Sequence, residues 1–160
     1  MSKDVFLVPI TFPEFERTVL NKIDLTKFHV DDLIVGEVPS PTSTRVWGVK
    51  NSTLNKRFYD KMESGDWLLF YHDDKYRYAG KVGVKFESGL ISDEFWSGID
   101  ADMLYTVDSF AEIDLSRERL NQVCEYKKSF QPQSIRRISN RAYRNIRLKE
   151  SSVDEFVFQQ

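Results

Sequence analysis

The stretch that decides the fold, residues 45–82, reads "RVWGVKNSTLNKRFYDKMESGDWLLFYHDDKYRYAGKV". It opens on a short apolar run, 45–49, that predicts a strand, and continues into a helical pattern over 51–62. Two further runs, 67–72 and 76–86, are rich in aromatic and β-branched residues and flank the turn sequence "DDK", which predicts a hairpin. The stretch is also dense in aromatic side chains: Trp47, Phe58, Tyr59, Trp67, Phe70, Tyr71, Tyr76 and Tyr78.

The helix of this stretch has a start signal and an apolar stripe. Asn51 or Ser52 is placed to cap its first turn. Leu54, Phe58 and Met62 follow at i, i+4 and i+8, so they share one face of a helix. The spacing predicts that these three side chains face the core.

Other segments complete an α+β pattern. The sequence predicts a doubly buried strand at 5–10, a helix at 13–23 with Thr11 as its cap, a loop at 36–44 and a helix or turn at 92–98. It further predicts an extended run at 103–115, a helix begun by Ser116, a strand or terminal helix from 134, and a tail that docks on the body. Strands mixed with short helices and a hairpin predict one α+β domain over residues 1–160, with a curved mixed or antiparallel sheet.

Composition limits the class of protein. The chain has 160 residues, of which 41% are hydrophobic and 30% charged, so it is expected to fold as a globular domain. Its apolar runs are too short for a membrane span and its N-terminus lacks a signal-peptide pattern, which favours a cytoplasmic location. One cysteine, Cys124, and two histidines, His29 and His72, offer no metal-ligand spacing, so neither a metal nor another cofactor is expected.

Catalytic residue patterns are weak throughout. Cys124 falls at a core position of a predicted helix, where a free thiol is usually inert. His72 precedes Asp73 and Asp74, which is ordinary turn chemistry rather than a metal corner. These observations favour a binding module over an enzyme, although a small nuclease or hydrolase and a protein-interaction domain stay open as alternatives.

Charge is unevenly distributed along the chain. The net charge is −2, yet the segment from Arg117 to Glu150 carries ten basic and three acidic residues. Such a cluster is typical of a phosphate-binding face, and a solvated, salt-bridged surface explains it equally well. The arginines predicted to bind phosphate are Arg136, Arg137, Arg141 and Arg144.

Two tryptophans stand beside glycines. Trp47 lies between the loop at 36–44 and Gly48, and Trp96 lies in "EFWSG". Rings at loop edges, beside residues without side chains, suit a stacking site for a flat ligand. The alternative is that both are partly buried core rings.

Several motifs, in order, resemble the PUA-like superfamily in its EVE and YTH branches. These motifs are "FLVPITFPEFERTVL", "VWGVKNSTLNKRF", "GDWLLFYHDDKYRYAGKV", "EFWSG" and "MLYTVDSFAEIDL", which fall within residues 5–135. The version here is most similar to the N-terminal DNA-reading domains of McrB-type modification-dependent restriction systems. It departs from the YTH form at Gly48, where that family has serine.

The resemblance implies that the chain reads a modified base extruded into an aromatic cage. Trp47, Trp96 and, by spacing, Tyr105 match the cage; Thr11, Asn51 and Asn55 match the contacts to the base edge. The implied ligand is methylated DNA, with N6-methyladenine favoured, in a restriction or defence system. An AAA+ GTPase or nuclease partner, or a C-terminal motor region of a longer chain, would then do the cutting. The alternative is a module of the same superfamily that reads a modified RNA base.

Overall fold

Strands and short helices succeed one another along the computed structural model, which describes residues 4–97 and 99–158. In chain order they are β1 (Val5–Pro9), α1 (Asp32–Glu37), β2 (Val46–Val49), α2 (Thr53–Lys61), β3 (Trp67–His72), β4 (Lys75–Glu87), α3 (Gly89–Phe95), β5 (Met103–Ser116), α4 (Arg117–Cys124), β6 (Arg136–Arg137), α5 (Asn140–Glu150) and α6 (Val153–Phe158). Within the described ranges, no helix has the length and hydropathy needed to span a membrane.

All six strands belong to one sheet, in the order β2-β5-β4-β3-β1-β6. β1 runs parallel to β3 and antiparallel to β6, and β2 runs antiparallel to β5. β1 therefore has a neighbour on each side, and Val5 to Val8 are all buried, so both of its faces are covered. The sheet is mixed and helices accompany it, so the predicted α+β class is confirmed.

The contacts of the chain divide it into two units. The first unit contains the described residues 4–10, 66–80 and 109–158, and the second contains Thr11–Gly65 and Lys81–Asp108. In the first unit, β1, β3 and the last helices enclose a continuous apolar core that includes Leu7, Leu69, Tyr76, Leu120, Ile146 and Phe156. Phe156 and Val157 of α6 are buried there, which confirms that the C-terminal tail docks.

Local sequence signals place the hairpin and the starts of α2 and α4 correctly. Asp73 and Asp74 join β3 to β4 with positive φ angles of 52° and 65°, the geometry of a two-residue turn that matches strand twist. Serine hydroxyls at positions 52, 88, 116 and 139 each accept a hydrogen bond from the backbone three residues on. These bonds satisfy amides that a helix start would leave without a partner.

The predicted apolar stripe of α2 is confirmed at Met62, which is buried, whereas Phe58 is half-buried and the prediction is wrong at Leu54. Leu54 is 51% exposed, whereas Asn55 and Tyr59 are buried together with Met62. The Tyr59 hydroxyl donates to the carbonyl of Leu104 at 2.6 Å and also lies 3.2 Å from that of Phe86. The helix therefore buries a face whose polar atoms have partners inside the second unit, and periodicity of apolar residues does not detect such a face.

Segment boundaries elsewhere differ from the predictions. The helix predicted over 13–23 is shorter, because only residues 14–20 are helical, and Glu16–Leu20 form a π-helix. The loop predicted at 36–44 begins later, because Gly36 and Glu37 still belong to α1. The segment from 134 that was predicted as strand or helix contains both, β6 and then α5.

Cys124 is expected to resist thiol reagents in the folded protein. It lies in the core of the first unit with 3% of its surface exposed, and burial raises the pKa of its thiol to about 12. The reactive thiolate is therefore scarce at pH 8. Ellman's reagent should label less than a tenth of the native chain in the time that it labels the urea-unfolded chain completely. Equal labelling rates would contradict the burial of this side chain.

Candidate functional site

Trp47 lies inside β2 rather than at a loop edge. Its strand pairs with β5 so that Trp47 stands opposite Tyr105. Only 4% of the tryptophan side chain is exposed, and its ring meets that of Phe15 edge to face at 5.3 Å between centroids. The ring thus contributes to the core of the second unit as the structure stands.

Trp96 follows the last residue of α3 and packs against Trp47. The two indole rings meet edge to face, with centroids 5.3 Å apart and planes inclined by 69°. Gly48 makes room for this packing, because a Cβ there would lie 2.9 Å from Leu104 and 3.4 Å from the Trp96 ring. The structure therefore brings together the two tryptophans that the sequence paired across 49 positions.

The Trp47–Trp96 pair belongs to a longer chain of rings, which we call the aromatic row. Its members, with the centroid distances between successive rings, are Phe12, Phe15 (6.0 Å), Trp47 (5.3 Å), Trp96 (5.3 Å), Phe95 (6.4 Å) and Phe28 (5.8 Å). The middle of the row is buried, while Phe12 is 41% exposed and Phe28 and Phe95 are half-buried. The row connects the buried indoles to the surface at both ends.

The four phenylalanines of the row did not enter the sequence-based prediction of the site. Phe12 and Phe15 lie in "FPEF" beside Thr11, and Phe95 directly precedes Trp96, so sequence proximity was the available signal. At one end, the Arg17 guanidinium lies 5.1 Å from the centroid of the Phe95 ring, within the range of a cation–π contact. The row therefore carries a positive charge beside its half-buried end.

Tyr105 is completely buried, and its hydroxyl has no hydrogen-bond partner among the residues described. Burial raises its pKa well above the ordinary value, and nearby Tyr59 acts in the same direction. The phenol therefore stays neutral and keeps an unused donor. A buried donor without a partner costs roughly 1–3 kcal/mol, so a group that supplied an acceptor there would be stabilised.

The three predicted base-edge residues are placed differently. Thr11 is exposed and its hydroxyl donates to Glu14 Oε1 at 3.2 Å. Asn51 is also exposed, and its backbone N–H donates to the carbonyl of Asp100 at 2.6 Å. Asn55 is 8% exposed, and its side-chain amide donates to the carbonyl of Lys50 at 2.9 Å. Thr11 and Asn51 are accessible to a ligand, whereas Asn55 holds the start of α2.

The four predicted phosphate-binding arginines all belong to the first unit. Arg137 lies 3.6 Å from the carboxylate of Asp4, and Arg141 lies 2.8 Å from that of Glu125. Arg136 is exposed with its guanidinium 5.2 Å from the Phe130 ring centroid, and Arg144 is exposed on α5. Neither of these two forms an ion pair with any residue in the described ranges.

Solved structures share this arrangement of strands and helices. The N-terminal domain of Thermococcus gammatolerans McrB bound to m5C DNA matches with a TM-score of 0.68 and 15% identity, over 90% of this chain and 95% of that one. The Pho92 YTH domain in complex with m6A matches with a TM-score of 0.55 and 14% identity, over 98% and 88%. ASCH from Zymomonas mobilis, a PUA-like fold, matches with a TM-score of 0.50 and 10% identity, over 89% and 92%.

The chain has the PUA-like fold. This confirms the fold that the resemblance of its motifs implied. No family model and no curated protein matches the sequence. At such low identity the likeness establishes the PUA-like fold alone.

Proposed function

We propose that this chain binds nucleic acid that carries a methylated base, and that Trp47 and Trp96 hold the extruded base. The observation that carries the proposal is the direct contact of these two indoles in the second unit. Tyr105, which stands opposite Trp47 in the paired strand, adds a buried hydroxyl without a partner among the described residues. Two domains of the same PUA-like fold support it, since their structures contain m5C DNA and m6A.

The edge-to-face packing of the pair defines a closed state of the proposed cage. A base held between two rings needs them roughly parallel, with a gap that admits a third ring, and indoles 5.3 Å apart leave no such gap. Entry of a base would therefore rotate at least one indole. The base would then replace indole–indole contacts with stacking on both of its faces, worth about 1–3 kcal/mol per base.

An apolar cage suits a methyl group on a base. The methyl is small, so recognition depends on ring faces that exclude water from it, and the buried middle of the aromatic row supplies such faces. We propose N6-methyladenine in DNA as the preferred ligand, with a modified RNA base as the alternative. Thr11 and Asn51 are the exposed polar residues proposed to contact the base edge or its sugar.

Extrusion of a base costs a few kcal/mol, so other contacts have to offset it. Phosphate contacts from the basic segment of the first unit are proposed to supply that affinity, whereas the cage supplies the selectivity. In this proposal the chain is a recognition module of a restriction or defence system. An AAA+ GTPase or nuclease, as a partner or in another region of the same protein, would perform the cutting.

A binding panel tests the proposed function. The ligands are matched 12-nucleotide single strands and duplexes with adenine, N6-methyladenine, cytosine or 5-methylcytosine at one position, together with the RNA counterparts. We expect at least a fivefold preference for a methylated ligand over its unmethylated match, measured by fluorescence anisotropy. Equal affinities for every methylated and unmethylated pair would overturn the proposal.

The basic segment makes a separate prediction about salt dependence. Each phosphate contact contributes about 0.9 to the slope of log affinity against log salt on duplex DNA. Replacing Arg136 and Arg144 with alanine is expected to lower that slope by roughly two and to weaken binding to all sequences alike. The matched control replaces Arg137 and Arg141, whose charges already face Asp4 and Glu125, and is expected to change the slope less. An unchanged slope in the first variant would mean that these arginines only solvate the surface.

A further inference from the structure

Phe12 is an aromatic side chain that the structure holds at the surface. It lies in the turn that follows β1, between Thr11 and Pro13, and 41% of its surface is exposed. Its ring meets the ring of Phe15 edge to face, with centroids 6.0 Å apart and planes inclined by 69°. The ring therefore packs on Phe15 while 41% of the residue's surface stays accessible.

The backbone that carries this ring is tied down at both ends. The Phe15 N–H donates to the Thr11 carbonyl at 3.0 Å, and the Arg17 N–H donates to the Pro13 carbonyl at 3.1 Å. The Thr11 hydroxyl also donates to the carboxylate of Glu14. A backbone held in this way loses little further conformational entropy when the ring makes a new contact.

The ring of Phe15 lies between Phe12 and Trp47 of the proposed cage. Phe15 contacts Phe12 on one side and Trp47 on the other, at 6.0 Å and 5.3 Å between centroids. Leu33 of the second unit is more exposed, at 80%, but it is not a member of the aromatic row. Phe12 therefore combines exposure, a fixed backbone and a packed connection to Trp47.

A flipped base leaves a gap in the stack of the duplex. Proteins that distort duplexes insert apolar side chains such as Phe, Leu or Met between bases, where the side chain replaces part of the lost stacking. We infer that Phe12 is such a wedge: it enters the duplex at the gap left by the base that Trp47 and Trp96 receive. The inference rests on the proposed function and adds to it a residue for duplex ligands that single strands do not require.

The test compares Phe12→Ala on two forms of the same ligand. The probe is a 12-nucleotide strand with one N6-methyladenine, used alone and annealed to its complement, with affinity measured by fluorescence anisotropy. Phe12→Ala is expected to weaken duplex binding about tenfold and single-strand binding less than twofold, because only the duplex has a gap to fill. Phe12→Leu is expected to recover most of the duplex affinity, since leucine also serves as a wedge. Leu33→Ala is the matched control for loss of an exposed apolar side chain and should change neither.

The outcomes separate the wedge from the cage. If Phe12→Ala loses affinity equally for the single strand and the duplex, or loses none for the duplex, the wedge is overturned. The cage is tested separately, by the preference of the wild-type chain for the methylated strand. A wild-type chain that binds methylated and unmethylated strands of every type equally would overturn the proposed function and the wedge with it. Thermal melts check that all three variants are folded at the temperature of the titrations, because Phe12 also packs on Phe15.

Discussion

Trp47→Ala is expected to remove the preference for methylated nucleic acid and to lower the free energy of unfolding by about 3–5 kcal/mol. The second effect follows from burial, since Trp47 is 4% exposed and packs on Phe15 and Trp96. Its position beside a loop and Gly48 suggests from sequence alone that truncation would leave folding largely intact. The structure removes that expectation, so alanine alone cannot separate a cage wall from a core ring.

Trp47→Phe separates the two roles. Phenylalanine keeps an aromatic ring in the core but offers a base a smaller face, so we expect a stable chain whose preference for the methylated ligand falls at least fivefold. Trp67→Phe is the matched control, because Trp67 is also a buried tryptophan, at 7% exposure, but belongs to the first unit. Both variants should melt at similar temperatures, and only the first should lose selectivity in anisotropy titrations. An unchanged preference in Trp47→Phe would assign Trp47 to the core alone.

Elements with local signals were predictable from the sequence. The hairpin between β3 and β4 depends on two adjacent aspartates that tolerate positive φ, and α4 depends on Ser116 as its cap. The strand at 5–10 was recognisable because a strand buried on both faces is apolar at nearly every position. Each of these signals lies within about ten residues of the structure that it specifies.

Features that depend on distant partners were not predictable in the same way. α2 buries Tyr59 because its hydroxyl reaches the carbonyl of Leu104, 45 positions away, and no local pattern encodes that bond. The segment after Pro13 shows an α-helical pattern but is π-helical over Glu16–Leu20, and its Phe15 packs on Trp47 of a distant strand. Tertiary packing outweighs local propensity in both cases.

The candidate site also combines features that local sequence indicates with features that only the fold decides. Glycine neighbours drew attention to Trp47 and Trp96, and the structure joins them, but their burial and edge-to-face packing follow from elements that meet only in the fold. Sequence could place Asn55 near a ligand by family likeness, yet its amide bonds to the Lys50 carbonyl. Residue type indicates what a side chain could bind, whereas the folded neighbourhood decides whether its polar atoms are free to do so.

The second large effect is the loss of discrimination expected when either tryptophan of the proposed cage is replaced. If Trp47 and Trp96 sandwich one base, removing either face should cost most of the discrimination, because a methyl group held against one ring is open to water on its other side. Stacking of about 1–3 kcal/mol per base corresponds to a loss of roughly 5- to 150-fold in affinity for the methylated ligand. Affinity for the unmethylated ligand should barely change in either single variant.

Trp96→Phe, Trp47→Phe and the double variant form the cycle that measures this coupling. Phenylalanine is used because Trp96 is only 5% exposed and its removal would open a cavity against Trp47 and Gly48. The effects of two residues that act on one ligand are not additive. The double variant is therefore expected to lose less than a further twofold in affinity for the methylated ligand, relative to the single variant that binds it more weakly. Losses that multiply would show that the two rings act independently. A parallel loss on methylated and unmethylated ligands in Trp96→Phe would reduce Trp96 to a packing role and leave Trp47 as the single indole of the proposed cage.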